Sequence, residues 1–232
     1  MKNYIAIDPS LNCTALVVND KKFIYAKEEY GHSVKTGKMN KWFEICEDYI
    51  TYRWTNYFKS TDHSDQEILK LLGYESVTDN IIADIINNID PSEATVVAIE
   101  GYSYNSMAGP LIDLVTFSTL LRSKIYDRVT HDINVYQPAS VKLEACKLTY
   151  PPIEKGVKVK KYEYRNYDGV AGGKFKKPEM CKCLIDNKSL QCPWVNLLRE
   201  YQDDIIGLST IPKPMEDVND AKLLYEILKT HK

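Results

Sequence analysis

Four carboxylates occupy positions from which they could hold divalent metal ions. Asp8 ends one apolar run, Glu100 ends a second, and Asp217 and Asp220 lie three residues apart near the start of a helical segment. Residues i and i+3 of a helix share a face, so the last two can point at the same ion. Carboxylate oxygens suit Mg²⁺ or Mn²⁺ better than zinc. The set predicts a centre that holds two such ions against a phosphodiester.

Each of these carboxylates also has an ordinary structural interpretation. Asp8 precedes Pro9 and fits a turn, and Glu100 fits a solvated strand end. Asp217 and Asp220 fit a helix start, where acidic groups interact favourably with the helix dipole. The metal site is favoured because three separate strand or helix ends carry carboxylates in the order expected for one central sheet.

Secondary structure predicted from hydrophobic periodicity places these residues on a sheet and its last helix. Strands are predicted over 3–8, 13–19 and 22–28, with Asn19-Asp20 as a hairpin turn, and over 94–100 and 132–137. Aromatic residues from Trp42 to Trp54 at near-helical spacing predict a helix over 40–59. Further helices are predicted over 76–89, 108–128, from Pro138, and over 178–187, 193–207 and 216–230.

Four blocks of the sequence carry a family resemblance. They are Ile5-Ala6-Ile7-Asp8-Pro9-Ser10, Val97-Ala98-Ile99-Glu100, Pro138-Ala139-Ser140-Val141-Lys142 and Asp217-Val218-Asn219-Asp220-Ala221. The chain resembles the RuvC-type Holliday junction resolvases of the RNase H-like superfamily. The resemblance implies an α/β, RNase H-like fold with a central mixed β-sheet flanked by α-helices. It also implies a homodimeric, metal-dependent endonuclease that nicks four-way DNA junctions symmetrically.

The same resemblance assigns roles to particular residues. The four catalytic, metal-binding carboxylates match Asp8, Glu100, Asp217 and Asp220, with two Mg²⁺ ions per site and Mn²⁺ able to substitute. Tyr102 or Tyr104, in the loop after the glutamate, is implied to stack on an unpaired base; packing over the loop is the alternative. The helix over 108–128 is implied to contribute to the dimer interface.

The chain departs from the family in two respects. Ser10 stands where a glycine usually follows Asp-Pro, which suggests either a slightly different turn or a more divergent member of viral or bacteriophage origin. Extra sequence lies near 38–90 and 150–175, outside the resemblance, and could alter which branched DNA is preferred. The 232 residues of the chain fit one nuclease domain over 1–232 with these insertions.

Basic charge is concentrated in one part of the chain. The formal net charge is -2, yet 142–188 contains twelve Lys or Arg against six Asp or Glu. Tyrosines and glycines alternate with these cations, a composition that favours contact with DNA phosphates and bases over a merely solvated loop. The predicted DNA-binding cations are Lys142, Lys155, Lys158, Lys160, Lys161, Arg165, Lys174, Lys176 and Lys177.

Composition favours a cytoplasmic protein. No apolar stretch reaches transmembrane length, and no signal segment precedes the first strand. The six cysteines form no regular framework and are interpreted as reduced thiols. A zinc site that includes Cys181, Cys183 and Cys192 is the less favoured alternative.

The sequence leaves three functions open. The leading one is a junction-resolving endonuclease that binds branched DNA as a homodimer. The second is a less selective branched-DNA or flap debranching nuclease. The third is a sugar-kinase-like ATP-dependent phosphotransferase, which also opens with a strand, an Asp and a turn. Ser10-Leu11-Asn12 lacks the glycine-rich phosphate loop that such a kinase needs.

Overall fold

A six-stranded mixed sheet forms the centre of the molecule. In the computed structural model, which describes residues 2–32, 36–55, 61–102, 108–155, 161–206, 208 and 210–231, the strands lie in the order β4-β3-β2-β1-β5-β6. Their bounds are β1 Lys2–Asp8, β2 Cys13–Val18, β3 Lys21–Lys27, β4 Thr51–Thr55, β5 Ala94–Glu100 and β6 Ile133–Tyr136. The strand β2 runs antiparallel to β1 and β3, whereas β4, β5 and β6 each pair in parallel with a neighbour.

Helices cover both faces of this sheet. One face carries α2 His63–Ile86 and α3 Ala108–Arg128. The short helix α1 Lys41–Ile45 comes before β4 in the chain, and its Trp42 packs in the core on the other face. This other face carries α4 Pro138–Thr149, α5 Lys177–Asp186, α6 Pro193–Glu200, α7 Gln202–Ile206 and α8 Met215–His231. The strand order and the two helical layers confirm the predicted RNase H-like α/β class with a central mixed sheet.

The strands β1 and β5 divide their side chains between two hydrophobic cores. Ile5 and Ile7 pack with α2 and α3, whereas Ala6 packs in the core that α8 covers. The strand β5 follows the same rule, with Val97 and Ile99 on the first face and Ala98 on the second. Since alternate residues of a strand face opposite sides, Asp8 and Glu100 belong to the face that α8 covers.

Most predicted elements are confirmed, including the hairpin turn at Asn19-Asp20. Both turn residues have positive φ, +46° and +71°, as the tight turn between twisted strands requires. The predicted helix over 76–89 belongs to a longer helix, α2, which Asp62 caps by accepting bonds from the backbone N–H groups of Ser64 and Asp65 at 2.9 and 3.1 Å. The helix predicted over 193–207 is interrupted at Tyr201.

The prediction of one helix over 40–59 is wrong. Among the described residues 40–55 of this range, only α1 is helical, and 51–55 forms the edge strand β4. Tyr52 and Trp54, two residues apart, point to the same side of this strand and stack with centroids 5.6 Å apart. Their spacing therefore reflects a strand period of two rather than a helical turn.

The basic segment forms a small sheet of its own. Its strands are β7 Pro152–Lys155 and β8 Lys161–Tyr164, paired antiparallel, and a 3-10 turn at Gly172–Lys174 packs on α4. The bridge between Arg165 and Ala171 extends the structure beyond β8. In the described ranges, none of the helices combines the length and apolar character needed to cross a bilayer.

Candidate active site

The first two carboxylates meet through strand register. Ile7 of β1 pairs with Ile99 of β5, and Asp8 and Glu100 follow these residues on adjacent parallel strands. Adjacent strands lie about 4.8 Å apart, so the carboxylates are neighbours at the carboxyl end of the sheet. This is the end at which α/β sheets usually bind ligands.

The helix α8 supplies the other two carboxylates. It packs across β1, β2 and β5, with Val218 and Ala221 buried in the shared core. Asp217 and Asp220 are only 6% and 2% exposed to solvent, so both side chains face the protein interior. The structure brings all four predicted carboxylates to one end of one sheet face.

All four carboxylates interact electrostatically, since each of the other three acts on Asp8. Burial, Glu100, Asp220 and Asp217 all raise the pKa of Asp8, while Lys177 opposes the increase. Burial and Asp220 raise the pKa of Glu100 to about 7, with Lys177 and Lys142 acting in the opposite direction. Burial raises the pKa of Asp220 to about 6 although Lys177 lowers it. A site of this kind needs positive charge before its carboxylates ionise fully at neutral pH.

Lys177 supplies part of that charge. It is the first residue of α5, whose start is fixed by Glu179 accepting a 3.0 Å hydrogen bond from the backbone N–H of Lys176. Its ammonium binds Asp220 directly. Burial opposes the charge on Lys177, but Asp220, Asp8 and Glu100 outweigh burial and raise its pKa above the ordinary value. The sequence grouped Lys177 with the DNA-binding cations, whereas the structure places it among the carboxylates.

Asp217 is held by two residues that the sequence did not identify as part of the site. Lys213 donates to Asp217 Oδ1 at 2.5 Å, and the Tyr30 hydroxyl donates to Oδ2 at 2.8 Å. Lys213 precedes Asp217 by four residues, so the spacing could have suggested the pair. Tyr30 lies 187 residues away and carries no such signal.

The other predicted DNA-binding residues have varied surroundings. Lys142 lies half-buried on α4, close enough to lower the pKa of Glu100. Lys155 and Arg165 both bind Glu163, at 3.0 and 2.8 Å. The exposed residues of this set are Lys155, Lys161, Lys174 and Lys176. The predictions for Lys158, Lys160 and Tyr104 lie outside the described residues.

Tyr102 lies in the loop that follows Glu100. The guanidinium of Arg122 on α3 lies over its ring at 5.7 Å, so the ring packs at least in part against this helix. This contact is compatible with the alternative interpretation of Tyr102 as a residue packed over the loop. Stacking on a base stays a prediction.

The side chains of the site are of the types that bind Mg²⁺ or Mn²⁺, but they are not arranged around an ion position. The donors are carboxylate oxygens, which suit Mg²⁺ or Mn²⁺, and the raised pKa values within the set indicate a need for cations. Within the described ranges, however, no three His, Cys, Asp or Glu side chains are arranged to hold an ion as they stand. Lys177 and Lys213 bind two of the four carboxylates. The residues therefore fit a divalent cation by type once the lysines have withdrawn.

The cysteines considered for zinc do not form a metal centre in the described part of the chain. Cys181 and Cys183 are buried in the core beneath α8, and Cys192 is half-buried. Burial raises the pKa of Cys181 to about 12. The two buried thiols thus stay protonated and pack as small apolar side chains.

Comparison with known proteins yields structural similarity only. No family model matches the sequence, and no curated protein matches it. A Thermus thermophilus RuvC structure is similar with a TM-score of 0.43 and 10% identity, over 99% of this chain and 96% of that chain. T. thermophilus RuvC in complex with Holliday junction substrate gives 0.41 and 9%, over 100% and 96%. Both TM-scores lie below 0.5, so function has to be inferred from the site.

Proposed function

We propose that this protein is a metal-dependent endonuclease that resolves Holliday junctions and other branched DNA by symmetric nicking. The observation that carries the proposal is the meeting of Asp8, Glu100, Asp217 and Asp220 at the carboxyl end of β1 and β5. Four interacting carboxylates at one site are costly to bury without cations. Divalent ions satisfy that need and are the usual requirement of phosphodiester hydrolysis.

The carboxylates are proposed to hold two Mg²⁺ ions, which Mn²⁺ can replace. Asp8 is the proposed shared ligand, with Glu100, Asp217 and Asp220 completing the set. When bound, such ions acidify a water molecule and stabilise charge on the departing oxygen. The protein contributes the backbone positions of Asp8 and Glu100 on adjacent strands and the α8 scaffold that carries Asp217 and Asp220.

Lys177 and Lys142 are proposed to bind the DNA backbone beside the carboxylates. Both ammonium groups lower the pKa of Glu100, so both lie close to the site. A phosphate that approaches four carboxylates is repelled unless cations accompany it. Lys177 can bind that phosphate when it withdraws from Asp220.

A wider DNA surface is proposed along the basic segment. It contains β7, β8 and the 3-10 turn, and its exposed lysines, which include Lys161, Lys174 and Lys176, can neutralise phosphates. Tyr162 on the same segment is 64% exposed, which leaves its ring accessible to bases or sugars. Tyr167 is 55% exposed, but the Lys182 ammonium lies over one face of its ring at 3.3 Å. The segment follows α4, which carries Lys142.

A homodimer is proposed because two symmetric nicks require two sites related by a two-fold axis. The exposed apolar residues at the starts of α2 and α3 support it. Ile68, Leu72 and Ile112 are 59%, 58% and 65% exposed. Lys70 binds Asp113 at 3.3 Å, so these two helix starts lie side by side. Exposed apolar groups that cluster in this way favour a protein partner.

Cleavage of labelled synthetic DNA tests the proposal. A four-way junction, a flap, a Y-fork and a plain duplex are incubated with the protein in Mg²⁺ or in EDTA. Paired symmetric nicks in the junction, with Mg²⁺ only, are expected. Equal cutting of flap and fork would favour a debranching nuclease, and no metal-dependent cutting of any substrate would contradict the endonuclease.

A further inference from the structure

We propose that Tyr30 is a positioning residue that fixes the Asp217 carboxylate for cation binding. The inference rests on the proposed endonuclease function and extends it to a residue outside the four carboxylates. Tyr30 touches neither Asp8 nor Glu100 through any described hydrogen bond. Its hydroxyl binds Asp217, and the Cys13 thiol is a neighbour of both groups.

The two α8 carboxylates are held in different ways. Both oxygens of Asp217 are engaged, Oδ1 by Lys213 at 2.5 Å and Oδ2 by the Tyr30 hydroxyl at 2.8 Å. Asp220 accepts its described side-chain hydrogen bond from Lys177 at Oδ2. Because Asp217 has a donor on each oxygen, the plane of its carboxylate is fixed, whereas a single donor leaves rotation possible.

The two donors to Asp217 also differ in how readily a cation can replace them. Lys213 carries a positive charge, its side chain is 36% exposed, and it also binds Glu216 at 3.3 Å. A second positive ion repels this ammonium, which has Glu216 and solvent as alternative partners. A phenol, with a pKa of about 10, is neutral at pH 7. The Tyr30 hydroxyl can therefore stay on Oδ2 while Oδ1 is released to a cation.

The surroundings of Tyr30 hold its ring in place. Tyr30 lies in a 3-10 turn over Glu28–Gly31, directly after β3. Its ring packs edge-on against Phe43 of α1, with centroids 6.3 Å apart, and Phe43 is buried. The ring therefore has a fixed support that does not depend on its hydroxyl.

A backbone hydrogen bond at Gly31 connects this turn to the start of α1. The Asn40 backbone N–H donates to the Gly31 carbonyl at 2.8 Å, and Asn40 caps α1. A Cβ on Gly31 would lie 2.6 Å from the Met39 sulfur and 3.2 Å from the Phe43 ring, so a larger residue would require these side chains to move. Part of the 38–90 segment thus supports the active site from outside, as supporting hydrogen bonds do in metal sites.

The test compares two tyrosine-to-phenylalanine variants. Tyr30→Phe removes the hydroxyl on Asp217 and keeps the ring on Phe43. Tyr25→Phe is the matched control, since Tyr25 donates to Asp84 Oδ2 at the same 2.8 Å on the opposite face of the sheet. Mn²⁺ binding is measured by calorimetry without DNA. Tyr30→Phe is expected to weaken Mn²⁺ binding about 10- to 100-fold, and Tyr25→Phe to leave it unchanged.

A double-mutant cycle distinguishes positioning from a general effect. In an Asp217→Asn background, Tyr30→Phe is expected to change Mn²⁺ affinity less than about 2-fold, because the group it acts through is altered. Thermal unfolding in EDTA checks that each variant is folded. The half-saturating Mn²⁺ concentration for DNA cleavage is expected to rise more than the rate at saturating Mn²⁺ falls.

The outcomes separate failure of this inference from failure of the proposed function. If the wild type binds Mn²⁺ and Tyr30→Phe binds it equally well, Tyr30 is not a positioning residue and the endonuclease proposal stands. An undiminished effect of Tyr30→Phe in the Asp217→Asn background would also overturn the inference. If the wild type binds no Mn²⁺ at all, both proposals are wrong.

Discussion

Asp8 is the carboxylate on which the charges of the site converge. Burial and all three other carboxylates raise its pKa, and only Lys177 is a nearby counter-charge among the causes that act on it. Its neighbours Glu100 and Asp220 have one lysine in common, Lys177. An ion bound at Asp8 would therefore relieve repulsion across the whole group.

Replacing Asp8 separates cutting from binding. Asp8→Asn is expected to lower the junction cleavage rate about 1,000-fold or more, equivalent to about 4 kcal/mol of lost transition-state stabilisation. Junction affinity should change less than about 3-fold, because the exposed lysines that neutralise phosphates are intact. Gel-based cleavage and fluorescence anisotropy measure the two quantities. Normal cutting by Asp8→Asn would remove Asp8 from the proposed metal site.

Asp84 provides a residue-level test of stability against pH. It accepts two hydrogen bonds from Arg53, at 2.9 and 3.0 Å, and one from Tyr25 at 2.8 Å. Burial alone would raise the pKa of Asp84, but these donors outweigh burial and lower it. The unfolded chain, with a pKa of about 3.9, then takes up the proton first as pH falls. Stability from Asp84 is present above that value and is lost as pH falls through the lower native pKa.

The Asp84→Asn variant should show this dependence directly. We expect it to reduce the free energy of unfolding by about 1–3 kcal/mol at pH 7. Below about pH 4 the difference from the wild type should shrink, because the wild type then loses the same charge. Urea unfolding at neutral pH and at two acidic values on either side of the unfolded-state pKa measures it. A difference that is constant over this range would contradict the role assigned to the carboxylate charge.

At the scale of elements, the central sheet and most helices could be predicted from local sequence. The strands around Asp8 and Glu100 are continuous apolar runs, and Pro138 opens α4 as its position suggests. The strand β4 could not be recognised, because Tyr52 and Trp54 continue an aromatic series that α1 begins. The position of Lys177 beside Asp220 could not be predicted for another reason. Its neighbours in sequence are basic, but its contact with Asp220 depends on how α5 packs against α8.

The basic segment is testable as an element. Lys161→Glu with Lys174→Glu should weaken junction binding and reduce the slope of log affinity against log salt by about 2, roughly 0.9 for each phosphate that is no longer neutralised. The control is Lys2→Glu with Lys21→Glu, which changes the net charge equally. Both control lysines are exposed and begin strands β1 and β3, away from the carboxylates. Equal weakening by the two variants would indicate a general charge effect and no DNA site on the basic segment.

At the scale of the whole molecule, the starts of α2 and α3 remain incompletely covered by the fold. Ile68, Leu72 and Ile112 are exposed and lie outside the two cores. The periodicity of α2 over 63–73, before the buried Tyr74, therefore did not indicate a core-facing helix. A second copy of the chain would bury these apolar residues and place two active sites in one assembly.

The proposed dimer interface can be tested by placing negative charge on this apolar surface. Leu72→Glu with Ile112→Glu should weaken self-association at least about 10-fold, or about 1.4 kcal/mol. Paired nicks in a junction should become single nicks. The control, Ile86→Glu, changes a residue that is 46% exposed at the other end of α2. Sedimentation velocity measures association, and unchanged behaviour of the double variant would place any dimer interface elsewhere.

The hydrogen bond between Tyr30 and Asp217 joins residues 187 positions apart, and the ion pair of Lys222 with Asp20 spans 202. If the endonuclease proposal holds, these separations govern when activity arises during synthesis. A nascent chain that has not yet produced residues 215–231 contains Asp8 and Glu100 but neither carboxylate of α8. Such an incomplete chain is then not expected to cleave nucleic acid near the ribosome, and the same holds for chains that terminate before α8.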